Sequence, residues 1–167
     1  MMDLISFPDH SRVWIYASDK EIPEALIWDV NNKIYSFSQQ WISHQKALRA
    51  TGGLLHGYFL ILVVDQQANQ AGGCSIDESV RFIQNLGASY QLDFFNRNLF
   101  YYLKESSVKT ISRSELLNAE IPVDINQDTL FFDNLVMDKI SFQKNWLKPL
   151  KDSWHSKFIK TNQIQVV

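Results

Sequence analysis

Residues 58–64 read YFLILVV, seven positions without a charge, a glycine or a proline. A membrane-crossing helix takes about 20 apolar residues, so this run is far too short for one. Its length and its β-branched and aromatic side chains suit a strand. A strand that is apolar at every position has no face to show to water. It therefore belongs at the centre of a sheet covered on both sides, and the rest of the chain must supply its neighbours and its cover.

The flanking sequence offers both. Arg12–Ala17 (RVWIYA) reads as a first strand, and 48–55 as a second, joined to the apolar run at 58–65 by a turn at His56-Gly57. Gly52-Gly53 interrupts the second strand and predicts a bulge or a close backbone approach. Between the first two strands, Ile22, Leu26, Val30, Ile34, Phe37 and Trp41 recur every three or four residues, one face of a long amphipathic helix. Ser18 or Asp19 is placed to cap that helix, with Pro23 near its first turn. Ile27, Trp28 and Tyr35 lie beside the stripe and are expected to widen the buried face.

After a polar loop at 66–73, a second helix carries Ile76, Val80, Ile83, Leu86 and Tyr90 on one side. Ser75 with Glu78 matches the S-x-x-E capping box. Leu99–Lys104 and 108–112 read as a hairpin, and Ser112 with Glu115 is another capping box, opening a short helix to about Asn118. A strand at 129–132 and a helix capped by Asp138 follow. That helix ends near Leu147, because Pro149 opposes its continuation. The last eight residues carry no regular pattern.

From Arg12 to Lys104 the order is β-α-β-β-α-β, the ferredoxin-like arrangement. The expectation is an α+β protein with a single antiparallel or mixed sheet and helices packed on one face. Its ferredoxin-like core spans about 12–104, and a C-terminal extension of strands and helices about 108–160. The 167 residues correspond to a single domain, 1–167, at roughly 150 residues per domain. With 46% hydrophobic residues, six Gly and four Pro, the chain is neither disordered nor collagen-like.

Several function classes lack their signatures. There is no GxxxxGK[ST], no GxGxxG after a strand, no HExxH and no GxSxG. One cysteine, Cys74, excludes an internal disulfide framework, and with four scattered histidines it gives no zinc spacing. No metal or cofactor is expected. A formal charge of −2 argues against a surface that grips nucleic acid. The N-terminus has Asp3 and Asp9 among its first charges and no long apolar run, so no secretory signal is read there. The lone cysteine suits a reducing interior, and a cytoplasmic protein without a membrane partner is expected.

Two stretches attract attention as sites. In Gly72-Gly73-Cys74-Ser75-Ile76-Asp77, two glycines precede a helix start. The free N–H groups of a helix N-terminus attract anions, and glycines let a ligand come close. Cys74 stands where a thiol pKa tends to fall, and Arg81 lies two turns further on. The structural use of the same residues is plain: Ser75 caps, the glycines turn, Cys74 fills space. The second stretch is 139–160, with six lysines and one acid, Asp152, a local balance of +5. There Phe142, Trp146, Leu150, Trp154 and Phe158 recur every four residues, and His155 joins Trp154 in a dense polar and aromatic cluster. Such aromatics pack inward as a rule, and their lysines are solvated.

The string GGCSIDESVRFIQNLG, followed by LDFFNR, resembles a family of short bacterial proteins of no assigned activity. The resemblance extends to VWIY, FLILVVD, FFDNLV and KDSWHSKF, and its most specific part is GCSID-x-SVRF. Some members carry the label ABC transporter ATPase, which requires a P-loop lysine motif that this chain lacks. The resemblance implies no catalytic residue. It places Gly73, Cys74, Ser75, Asp77, Arg81, Trp154 and His155 within the family's characteristic strings.

The leading reading is a small cytoplasmic protein that binds an anionic small molecule or a protein partner without transforming it. The ligand would sit at Gly72, Gly73, Cys74, Ser75, Asp77 and Arg81, with Trp154 and His155 approaching it. One alternative is an enzyme that uses Cys74 with His155 or His56 as base. The other is a structural or homodimeric protein with the C-terminal aromatic segment as interface.

Overall fold

The computed structural model describes residues 2–118, 122 and 124–159, so the last eight residues lie outside the described set. Strand β1 (Arg12–Ala17) leads into helix α1 (Glu24–Gln40). A small hairpin of β2 (Ile42–Ser43) and β3 (Lys46–Ala47) comes next, then β4 (Ala50–Leu55), β5 (Phe59–Val64) and α2 (Gly73–Tyr90). There follow β6 (Leu99–Lys104), β7 (Ser107–Ser112), α3 (Arg113–Leu117), β8 (Leu130–Phe132), α4 (Lys139–Asn145) and β9 (Leu147–Pro149). Two 3-10 turns, Leu150–Asp152 and Trp154–Phe158, complete the described chain.

The protein is α+β, but its strands do not form a single sheet. Among the described residues they form three sheets, ordered β1-β5-β4, β2-β3 and β7-β6-β8-β9. The chain groups into two compact units. The first holds the described residues up to Asn96 with Leu135–Gln143, and the second holds Arg97–Asn134 with the described residues from Lys144.

In the first unit β5 occupies the centre, as its composition demands, and all six of its residues are buried. Leu62 stands opposite Trp14 of β1 and Gly52 of β4, both pairings antiparallel. Strands β1 and β4 are therefore parallel to each other, joined through α1 and split by β5. That is three strands of the expected ferredoxin-like core. The fourth is absent from this sheet, because β6 pairs with β7 and β8. Hydrophobic alternation marks a strand but not its neighbour, and a hairpin partner a few residues away is the cheapest to reach. Among the described residues the outer edge of β1 meets an isolated bridge from Arg12 to Asp138, with the Val13 N–H donating to the Met137 carbonyl at 2.9 Å.

Leu60, Leu62 and Val64 share a core with Val30 and Ile34 of α1 and with Ile83 and Leu86 of α2. Gly52 makes the close approach of α1 feasible. A Cβ there would lie 2.8 Å from Leu62 Cδ2 and 3.0 Å from Ile34 Cγ2. The ladder runs through both glycines without a bulge, so close approach is the correct half of that expectation. On the opposite face a Cβ at Gly53 would lie 2.9 Å from Met2 Cβ, and the Asp3 N–H donates to Thr51 Oγ1. Arg49 holds the N-terminal segment by donating to the Ser6 carbonyl at 2.6 Å while pairing with buried Asp65 at 3.0 Å. Buried Lys139 donates to the Phe7 carbonyl at 2.6 Å.

Helix α1 differs from expectation in two details. Its N-cap is Pro23, without a side-chain cap. Ser18 is buried and donates its N–H to the Tyr58 carbonyl, and Asp19 accepts the Asp93 N–H at 2.8 Å. Both residues are spent tying β1 to its surroundings. Trp28 does not widen the buried face, since it is 77% exposed. Asn31 Oδ1 accepts the Leu54 N–H at 2.9 Å, and Gln39 donates to the Ala50 carbonyl at 3.1 Å. Helix α1 thus satisfies the outer edge of β4 with polar side chains.

In the second unit β6 is flanked by β7 and β8, with Tyr102 opposite Phe131. Phe100, Tyr102, Ile111, Leu116, Ile125, Phe131, Leu150 and Ile159 form its core. The capping box of Ser112 and Glu115 is present in both directions. Asp138 caps α4 as expected, accepting from the Ser141 N–H at 2.8 Å. Helix α4 ends at Asn145, close to the expected limit, and β9 and the 3-10 turns follow. Pro149, lacking an N–H, ends a strand at the sheet's margin, where nothing is lost.

Candidate functional site

Helix α2 starts three residues earlier than the Ser75–Glu78 signature suggests. Its N-cap is Gly72 in extended geometry, and no side chain caps it. Ser75 lies inside the first turn and is buried. Its hydroxyl donates to the Gly72 carbonyl at 2.8 Å, and its carbonyl accepts from Trp41 Nε1 at 2.8 Å. With Ser75 turned inward, the first amides of α2 receive no side-chain acceptor. Among the described residues no protein group accepts from the N–H of Gly73, Cys74 or Ser75.

The space in front of these amides is open. A Cβ built on Gly73 would meet nothing within 4 Å. Cys74 is exposed, as are Asp77 and Arg81. One wall is the β2–β3 hairpin. Its tip, His44-Gln45, takes the left-handed backbone at φ 50° and 63°. Ser43 Oγ accepts the Gly72 N–H at 3.2 Å, and Asn69 clamps the hairpin by donating to the Ser43 and Lys46 carbonyls. This places His44 Nε2 3.1 Å from where a Cβ on Gly72 would stand. The corner therefore combines backbone N–H groups, an exposed imidazole, a thiol and, one and two turns along α2, an acid and a guanidinium.

His44 is the residue that sequence reading missed. Two-residue hairpin tips are announced by Asn-Gly or Asp-Gly, and His-Gln gives no such signal. His56, the alternative base, lies in the β4–β5 turn. The Gly57 carbonyl there accepts from Ile22, Tyr58 accepts from Ser18, and Asp19 pairs with Asp93 just past the end of α2. That turn is at the far end of an 18-residue helix, roughly 27 Å long, from Cys74.

Trp154 and His155 belong to the second unit, where they pack among aromatic rings. His155 is 2% exposed. Its Nδ1 is 2.6 Å from Ser153 Oγ, and its ring lies 4.0 Å from the Trp154 ring and 4.9 Å from Phe100. Burial pushes its pKa down to about 4, against a partly opposing pull from Asp133. Trp154 Nε1 donates to Asp133 Oδ1 at 2.9 Å, and Lys148 pairs with the same carboxylate at 2.8 Å. The KDSWHSKF string thus buries Ser153 and His155 in a core whose inner polar groups bond within the unit.

Among the described residues no cluster of His, Cys, Asp and Glu is arranged to hold a metal ion, and no helix is long and apolar enough to cross a membrane. Compared with protein-family models, curated proteins and solved structures, the chain gives no match.

Proposed function

We propose that this is a cytoplasmic binding protein whose ligand is a small molecule bearing a phosphate or carboxylate group, held at the start of α2. The observation that carries the reading is the open corner itself: three amides without protein acceptors, facing space that a side chain at Gly73 would not fill. Amides at the start of a long helix present partial positive charge to an anion. The His44 imidazole adds a donor from the hairpin, and Arg81 adds a cation two turns on. Asp77 selects against a highly charged ligand by repulsion, which favours one anionic group on a larger body.

Titration with inorganic phosphate, then with a panel of sugar phosphates and carboxylates, followed by amide NMR, tests the reading. Gly73, Cys74 and Ser75 amide signals are expected to move together, and His44→Ala to weaken the effect. Movement of signals elsewhere, with these three unmoved, would overturn it. A ligand that binds only the folded chain must also raise the melting temperature.

A second reading rests on Cys74, which is exposed in the first turn of α2, two residues after the Gly72 that His44 stands against. There the His44 imidazole would serve as base to the thiol as a nucleophile. Its test is the rate of thiol modification in native protein. Cys74 should react faster than a free thiol and slow in His44→Ala; a rate equal to free thiol ends this reading.

A further inference from the structure

The outer edge of β7, with the cations beside it, forms a surface that nothing above employs. The Arg113 N–H donates to the Asn98 carbonyl at 2.8 Å, toward the β6 side. Successive residues of an antiparallel strand turn their backbone groups to opposite sides. Ser107, Lys109 and Ile111 therefore bond to β6, while Val108, Thr110 and Ser112 face outward. The Ser112 N–H agrees, since it is taken by Glu115 Oε2 at 2.7 Å. The outward N–H and C=O groups of Val108 and Thr110 have no partner among the described residues.

Unneutralised positive charge lies alongside. Arg113 and Lys157, both exposed, stand over the same ring, 5.0 and 5.3 Å from the Phe158 centroid. Neither they nor exposed Lys109 form an ion pair among the described residues. The acids nearby are largely committed. Asp124 pairs with Lys104 at 2.9 Å and also feels Lys109, and Glu115 is held in its capping box. Among the described residues, Glu105 at the hairpin tip is uncommitted.

We propose that this edge is a docking site for an extended acidic segment of a partner protein. Its backbone would add a strand through Val108 and Thr110, and its carboxylates would meet Lys109, Arg113 and Lys157. Strand addition supplies affinity through the main chain and leaves selectivity to flanking side chains. A second copy of β7 is a poor occupant, because it would bring further lysines to this edge, the device by which edges resist self-pairing. A nucleic acid could answer the charge but not the alternating amide and carbonyl groups.

The test is fluorescence anisotropy at low salt with a labelled Glu-Val repeat hexapeptide, its Lys-Val counterpart and a single-stranded oligothymidylate. The acidic peptide should bind about tenfold or more tightly than the basic one, and less tightly as salt rises. The surface double variant Lys109→Glu/Lys157→Glu should weaken the acidic peptide by about tenfold or more. Methylating alternate amides of the peptide should do the same without touching the protein. Equal binding of the methylated peptide would overturn strand addition. Equal binding of the basic peptide, or binding of the oligothymidylate alone, would overturn the acidic segment as occupant.

Discussion

The corner at the start of α2 and the pocket around His155 contain the same kinds of group: an imidazole, a serine, an acid and a lysine or arginine. They differ in what surrounds those groups. At the corner the serine turns inward and the helix amides are left facing space. Around His155 the ring Nδ1 meets the Ser153 hydroxyl, Trp154 Nε1 donates to Asp133, and the rings of Trp154, Phe100 and Phe131 close the volume. A polar cluster can therefore be either a receptor or a rivet, and burial decides which. Sealing polar groups strengthens their mutual bonds and removes them from any ligand's reach.

Several measurements can break or sharpen this contrast. The largest effect is expected at Trp154. Replacing it with Ala removes a stacked ring and leaves Asp133 without one of its donors, which should cost about 3–4 kcal/mol in denaturant unfolding. The next is acid sensitivity. His155 is held neutral in the folded chain with a pKa near 4, against 6.5 when unfolded. The unfolded chain therefore binds the extra proton first as pH falls. The stability is complete above 6.5, declines between 6.5 and 4, and by pH 4 the loss amounts to about 3 kcal/mol. Comparing His155→Gln with the parent chain over this range isolates the contribution, and an unchanged slope would show that His155 is not sealed.

Gly52→Ala should cost about 1–3 kcal/mol, because its Cβ collides with Leu62 and Ile34. Ser112→Ala should cost about 1 kcal/mol through loss of a working cap. Smallest of all, Cys74→Ala should change stability by less than about 0.5 kcal/mol, as expected of an exposed residue without structural duties. A large loss there would mean that the corner is packed after all.

The two S-x-x-E strings show where sequence reading succeeds and where it fails. Ser112 and Glu115 form the reciprocal cap that their spacing announces. Ser75 and Glu78 have the same spacing, yet Ser75 is drawn into the first turn by the Gly72 carbonyl and by the contact with buried Trp41. A local signature holds when local bonds are the best on offer, and yields when a tertiary contact is better. The aromatic stripe at the C-terminus followed the same logic: its inward packing and the end of its helix before Pro149 were legible, but the sheet pairing at Leu147–Pro149 was not. Trp28 departed in the other direction, since proximity to an apolar stripe does not guarantee a partner on the facing element.

The all-apolar run at 59–64 and the 3–4 spacing of α1 were settled by local chemistry, because burial and backbone geometry act residue by residue. The choice of β7 and β8 as partners for β6, the placement of His44 beside Gly72 and the sealing of His155 were decided only in three dimensions. Each depends on which distant surfaces meet, and such meetings leave no period or spacing in the chain to read.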